Sequence, residues 1–231
     1  MKSQSKICAL TVLLTLLFFV FASSCKDDDN DDKKENEHLI KPYSCPHLPI
    51  LDYQGHTYGT VLIGNQCWLS ENLRYLPNIV FEEDSGLIAE PQYAVYNYTG
   101  SSLAEAKATS NYNTYGVMYN WAAALTACPP EFRLPSEEDF NTLLSNVGTD
   151  PYNALIPGGS SNFSALLGGW RSNTGTFDNM GNFGIFLSTT DIDNFFVSSL
   201  QFGSYNKEVE ISPSRKDFMF YVRCLTDIPV E

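Results

Sequence analysis

The chain has 231 residues, 43 % of them hydrophobic and 13 % aromatic, enough for one domain with a full core or two small ones. Its formal net charge is −13, from 14 basic and 27 acidic residues. Such a surface repels phosphate backbones and anionic lipid, so nucleic acid is not expected as a partner and passive adsorption to a membrane is disfavoured. The three histidines, His38, His47 and His56, are too scattered within the first quarter to suggest a shared metal site.

Residues 1–24 carry the marks of an export signal. Lys2 and Lys6 give a positive start, Ile7 to Ala22 an apolar run, and Ala22, Ser23 and Ser24 the small residues that precede a cleavage point. The run is short for a membrane span of about 20 residues. The competing reading is a retained N-terminal anchor. Ala22-Ser23-Ser24-Cys25 resembles the lipobox of bacterial lipoproteins, although Ala22 stands where leucine is commonest. That resemblance implies that 1–24 is a lipoprotein signal peptide, that Cys25 becomes the acylated first residue, and that the partner is a membrane reached through a lipid anchor. The acidic run Lys26-Asp27-Asp28-Asp29 resembles the export tag of Bacteroidetes lipoproteins, which implies the outer membrane and its cell-surface face. The alternative is a solvated tether with no address. Residues 26–37 hold three lysines against seven acids, so 25–44 reads as a lipidated, acidic, flexible tether that buries nothing.

Of six cysteines, Cys8 leaves with the signal and Cys25 is acylated, so Cys45, Cys67, Cys128 and Cys224 remain. An even number in an exported chain suggests two disulfides, with three pairings possible. The favoured pairing is Cys45–Cys67 as a local staple and Cys128–Cys224 as a long clasp from the first helical region to the last strand.

From about His38 the composition is that of a globular domain. Asp52-Tyr53-Gln54-Gly55 reads as a tight turn. Tyr58 to Ile63 is rich in β-formers, Gly64-Asn65 suits a two-residue II′ turn, and Gln66 to Leu69 returns as the second strand. Residues 76–115 are polar, Tyr-rich and weakly patterned, and read as long loops with short strands. In GVMYNWAAALTAC, Met118, Trp121, Ala122 and Leu125 recur at helical spacing, and Pro129-Pro130 ends the helix. In RLPSEEDFNTLLSNVG, Ser136 is an N-cap and Asp139 takes the reciprocal capping-box position. Glu137 and Glu138 suit the positive end of the helix dipole. Phe140, Leu143, Leu144 and Val147 form the apolar stripe, and Gly148 the C-terminal cap. After Asp150 the helical period vanishes. Phe183–Ser188, Phe195–Phe202, Glu208–Ile211 and Phe218–Cys224 read as an antiparallel meander. The expected class is α+β and loop-rich, with two helices packed on short antiparallel strands in one domain over residues 45–231.

Four segments in order, YGTVLIGNQCWLSENLRY, YGVMYNWAAALTACPPEFRLPSEEDFNTLL, FSALLGGWRSNTGTFDNMGNFGIFLSTT and FYVRC, resemble the Fibrobacter succinogenes major paralogous domain, FISUMP, across residues 45–226. That family is found on exported and lipid-anchored proteins. It is related by pattern to the C-type-lectin-like and formylglycine-generating folds, so the resemblance implies a C-type-lectin-like arrangement. Two places depart from the pattern: Phe186-Leu187-Ser188 stands for Trp-Ser-Ser, and Glu131-Phe132 for Gly-Trp. No settled activity comes with the family.

An enzyme needs a nucleophile, a base and a pocket. The cysteines are better used in disulfides, and Glu137, Glu138 and Asp139 sit where a helix start attracts acids. A calcium site needs converging oxygens. Asp178, Asn179 and Asn182 are weak candidates for one, and equally turn formers, so calcium is an open possibility and no other cofactor is expected. A non-catalytic binding site needs aromatic and amide side chains on loops. Tyr93, Tyr96, Tyr98, Tyr112 and Tyr115, with Trp170 and Arg171, are its candidates, against a competing role in packing. The expectation is a surface-exposed outer-membrane lipoprotein whose domain binds or adheres to a glycan or an envelope protein. A structural accessory subunit of a surface assembly is the alternative, and an enzyme akin to the formylglycine-generating folds comes third.

Overall fold

A computed structural model describes residues 43–79 and 89–227. The signal segment, Cys25 and nearly all of the tether expected at 25–44 lie outside the described residues. The architecture is mixed α+β, with three sheets and five short helices among the described residues.

The N-terminal hairpin forms as its turn residues dictate. Strands β1 (Ile50–Tyr53) and β2 (His56–Ile63) join at Gln54-Gly55, whose φ values of 53° and 78° are the pair of positive angles a type I′ turn requires. Strand β3 (Gln66–Leu69) follows Gly64-Asn65, where Gly64 alone has a positive φ, 62°, in keeping with the expected II′ geometry.

In the larger sheet, β8 (Phe183–Asp191), β9 (Phe196–Gly203) and β10 (Glu208–Arg215) form the expected antiparallel meander. The last apolar segment does not extend it. Strand β11 (Phe220–Tyr221) crosses to the far side of β8, pairs with it in parallel at Tyr221 and Phe186, and pairs antiparallel with β5 (Met118–Tyr119). Strand β4 (Tyr93–Ala94) completes the six-stranded order β10-β9-β8-β11-β5-β4. Three residues later the chain changes sheets: β12 (Leu225–Asp227) pairs with β3 and closes the order β1-β2-β3-β12. A ribbon of β6 (Trp170–Arg171) and β7 (Phe177–Asp178) is the third sheet.

The two expected helices are α3 (Trp121–Ala127) and α4 (Glu137–Val147). Residues read as loop hold α1 (Leu103–Ala108) and α2 (Ser110–Tyr115), and Pro151–Leu155 forms α5. Each starts where a side-chain oxygen accepts a backbone N–H: Ser102 from Glu105, Thr109 from Tyr112, Asp150 from Asn153. Helices of five or six residues are too short to display an apolar period.

The expected face of α3 also needs correction. Met118 lies in β5, and the helix begins after Asn120, whose side chain accepts from Ala123 N. Ala123, Ala124 and Ala127 are the buried face, whereas Leu125 is 45 % exposed. Small alanines let the helix backbone lie close to β5 and β8, so size rather than hydrophobicity selects the buried side.

In α4 the stripe is as read: Phe140 and Leu143 are buried, and Leu144 and Val147 pack partly beside them. The capping box between Ser136 and Asp139 is complete in both directions. Asp139 also accepts from Arg133 Nη1 at 2.5 Å and Nη2 at 2.9 Å. Burial pushes this carboxyl up, but hydrogen bonds from Arg133 and Ser136 outweigh it and hold it below its ordinary value. Asp139→Asn is expected to lower stability by about 1–2 kcal/mol near pH 7. A depressed carboxyl stabilises the fold above its unfolded pKa of about 4, and that contribution fades as pH falls through the folded value. The gap between wild type and variant in thermal melts should therefore shrink toward about pH 2. A gap that persists unchanged would contradict the linkage.

Cys45 is bonded to Cys67 and Cys128 to Cys224, with Cα separations of 5.7 and 5.8 Å, the favoured pairing of the three. The first ties the entering chain to β3. The second ties the end of α3 to the junction between β11 and β12.

Two apolar clusters share the sheets because alternate residues of a strand face opposite sides. Ile185, Leu187, Val197 and Val222 enter one, with Tyr58, Tyr93 and Tyr119. Phe186, Leu200, Phe202 and Tyr221 enter the other, where Trp68 lies between Phe140 at 6.0 Å and Phe163 at 5.4 Å. Arg223 follows β11 and is fully buried. It donates to Leu69 O, Phe163 O and Ser164 O and to Asn72 Oδ1.

Candidate functional site

An open groove of about 230 Å³ lies where β8, β9, β10 and β11 meet the β6 ribbon. One wall is aromatic: Trp170, Phe183, Phe196, Phe218 and Phe220. Trp170 packs edge-on to Phe183 at 5.7 Å, and Phe218 stacks on Phe220 at 6.3 Å. Two glycines put Trp170 there. Gly169 has φ +69°, and a Cβ on Gly168 would strike the Tyr221 ring, whose hydroxyl donates to Gly168 O at 3.0 Å.

The other wall is polar and held in place. Gln201 Nε2 donates to Ser199 Oγ at 3.0 Å and to Ser214 Oγ at 3.2 Å, which fixes the amide plane. Arg215 donates from Nε and Nη2 to the two oxygens of Asp217, at 2.9 and 2.6 Å, and its guanidinium lies 5.4 Å from the Phe218 ring centre. Asp217 accepts a third bond from Asn173 Nδ2 at 2.9 Å. This bidentate carboxylate raises the Arg215 pKa above its ordinary value, so the group stays charged and paired. The next residue, Lys216, is buried; its Nζ reaches Asp191 Oδ1 at 2.5 Å and lies 4.2 Å from the Trp121 ring centre. Both cations at this end of the sheet are thus matched by acids.

Of the residues singled out in the sequence, only Trp170 lines the groove. Arg171 points the other way. It is 1 % exposed, donates to Met219 Sδ at 3.8 Å and lies 5.8 Å from the Phe177 ring centre; burial lowers its pKa. The five tyrosines do not form one face. Tyr93, Tyr98 and Tyr112 belong to one apolar cluster, Tyr96 and Tyr115 to the other. Tyr93 is buried edge-on to Tyr119 at 5.7 Å. Tyr98 donates to Ser102 O and Glu105 Oε2, and Tyr112 to Arg74 O. The Tyr98 and Tyr112 hydroxyls thus tether local backbone, the packing role weighed against a binding face. Asp178, Asn179 and Asn182 form a turn: Asn179 has φ 59°, its N–H donates to Asp178 Oδ1 at 2.7 Å, and its carbonyl accepts from Asn182 and Phe183. Among the described residues, no group of three or more His, Cys, Asp or Glu is placed to hold a metal ion.

Sequence reasoning missed Phe183, Phe196, Phe218, Phe220, Gln201 and Arg215. The usable signal was the period of two along Phe183 and Ile185, which puts both on one face of β8. Gln201 joins that face only through the register Ile185 to Gln201, a fact of pairing and not of local sequence.

A smaller polar cavity of about 170 Å³ has Tyr43, Thr60, Ser70, Glu71, Asn162 and Ser164 among its lining residues. Glu71 Oε2 is held there by His56 Nε2 at 3.1 Å and Arg74 Nη2 at 2.7 Å.

The family model of the Fibrobacter succinogenes major domain matches residues 61–226, a span that contains every residue of the aromatic groove. Comparison with curated proteins and with solved structures finds no match.

Proposed function

We propose, since this chain belongs to the Fibrobacter succinogenes major domain family, that it is a lipid-anchored protein of the outer cell surface whose domain binds a ligand without transforming it. In this reading residues 1–24 are removed, Cys25 carries the acyl groups, and 25–44 is the tether. The domain is a C-type-lectin-like arrangement of its α+β layers. The observation that carries the binding role is the groove: a half-buried aromatic wall beside polar side chains already held by neighbours. Preorganised groups of this kind lose little freedom when a ligand arrives, so contact energy is retained as affinity. The four described cysteines are consumed in disulfides, which supports binding over cysteine chemistry.

The test uses the full chain made in a host with an outer membrane. The expected results are an intact mass starting at acylated Cys25 and digestion by protease added to intact cells. Attachment of the cells to glycan or envelope-protein surfaces should fall about tenfold or more in Phe218→Ala. Retention of residues 1–24, or attachment indifferent to Phe218→Ala, would sink the corresponding half of the proposal.

A further inference from the structure

We infer that the aromatic groove takes an uncharged carbohydrate chain, seating one or two sugar rings against Trp170 and Phe218. The inference rests on the binding role proposed above and names its ligand class. A pyranose ring has C–H groups on its faces and hydroxyls around its edge. It needs an aromatic surface beneath and donors and acceptors at the side, and the groove supplies both. Phe218 is backed by Phe220 and Trp170 by Phe183, while Gln201 and Ser214 line the same groove and the Arg215 guanidinium lies over the Phe218 ring. At about 230 Å³ the groove is smaller than the ~300–1,000 Å³ of pockets that swallow a whole ligand, and it is open, which suits a short stretch of a longer chain.

Charge selects a neutral ligand. Arg215 is already paired with both oxygens of Asp217, and Lys216 with Asp191, so neither offers an unmatched positive charge. Exposed Glu208 and Glu210 lie along β10, and the whole chain carries −13. A uronate, sulfate or phosphate would meet repulsion without a compensating cation. A peptide adding itself as a strand is disfavoured too. β10 is the outer strand of its sheet, but Pro213 within it lacks an N–H and Glu208 and Glu210 place charges along it, features that discourage pairing with another chain.

The experiment titrates the full-length, lipid-bearing protein in detergent with neutral and acidic oligosaccharides of increasing length, following tryptophan emission. The expected result is saturable binding of a neutral series, with affinity rising over the first few units and then levelling, and little dependence on salt. Phe218→Ala and Trp170→Ala should each weaken it about tenfold or more. Arg215→Ala, at a half-exposed side chain, keeps the test decisive if either aromatic variant fails to fold. Tyr205→Ser, at an exposed hairpin tip outside the groove, should leave affinity unchanged. Tighter binding of acidic oligosaccharides, binding weakened by salt, or no saturable binding of any oligosaccharide would overturn the inference. If Phe218→Ala still abolishes attachment of cells to an envelope-protein surface, only the ligand class falls and the binding role stands. If it does not, both fall.

Discussion

Arg223→Ala is expected to destabilise the protein by about 3–5 kcal/mol, with Arg223→Lys recovering only part of the loss. The guanidinium is fully buried, with its carbon 4.5 Å from the Phe163 ring centre and 5.6 Å from that of Phe186. Its N–H groups satisfy three backbone carbonyls and the Asn72 side chain, drawn from residues 69–72 and 163–164. None of these partners is a carboxylate. Burial therefore pulls its pKa down to about 9, opposed by the charge of Glu71. Truncation removes the cation but strands its acceptors in a dry interior, where each lost partner costs about 1–3 kcal/mol. Lysine carries one compact ammonium and cannot span acceptors on two separate segments. Two of those acceptors sit in a tight loop, where Asn162 and Ser164 have φ of 57° and 56°. Arg223 holds this loop's unusual backbone together with local bonds such as Ala165 N to Leu155 O and Ser161 Oγ to Ala154 O. Urea midpoints for both variants check the claim. A lysine variant within about 1 kcal/mol of wild type would show that charge, not the planar fork, is what the site uses.

Removing the long clasp should cost a comparable amount. Cys128 and Cys224 are 96 residues apart, Cys45 and Cys67 only 22. In the chain-entropy account, opening the longer loop releases about 4.7 kcal/mol and the shorter about 3.4. The double variant Cys128→Ala with Cys224→Ala should therefore melt about 10–20 °C below wild type, and Cys45→Ala with Cys67→Ala by somewhat less. If the shorter loop matters more, packing around Cys45 and Cys67, both buried in the first apolar cluster, outweighs loop entropy. The clasp variant must be read with Arg223 in mind, since Cys224 is its chain neighbour and the two effects need not add.

Local chemistry accounts for what could be read in advance. The hairpin at Gly64-Asn65, the capping box at Ser136 and Asp139, and the stripe Phe140, Leu143, Leu144 and Val147 are all decided within a few residues. So is the meander of β8, β9 and β10. The crossing of β11 depends on two residues finding a slot between β8 and β5, and no turn or period near Phe220 announces it. The tyrosines could not be assigned from the sequence because tyrosine serves equally well on a ligand face and in a loop-rich interior, where the Tyr98 and Tyr112 hydroxyls tether backbone carbonyls. The groove stayed hidden because it gathers residues from Trp170 to Phe220 across five strands and a loop. Its composition exists only once β9 is in register with both neighbours.

The passage of residues 220–227 through both large sheets concentrates the molecule's vulnerability in one short segment. Among the described residues, Phe220-Tyr221 is the strand that links the meander to β5 and β4 in the six-stranded sheet, and Leu225–Asp227 supplies the border of the other. Cys224, between them, is also the partner that Cys128 awaits. Without residues 220–227 the hairpin and the meander lose these strand pairings and keep the packing through α4 and the Trp68 cluster. One short segment thus sets strands in two sheets and closes a disulfide, so a single lesion in it is felt on both sides of the core.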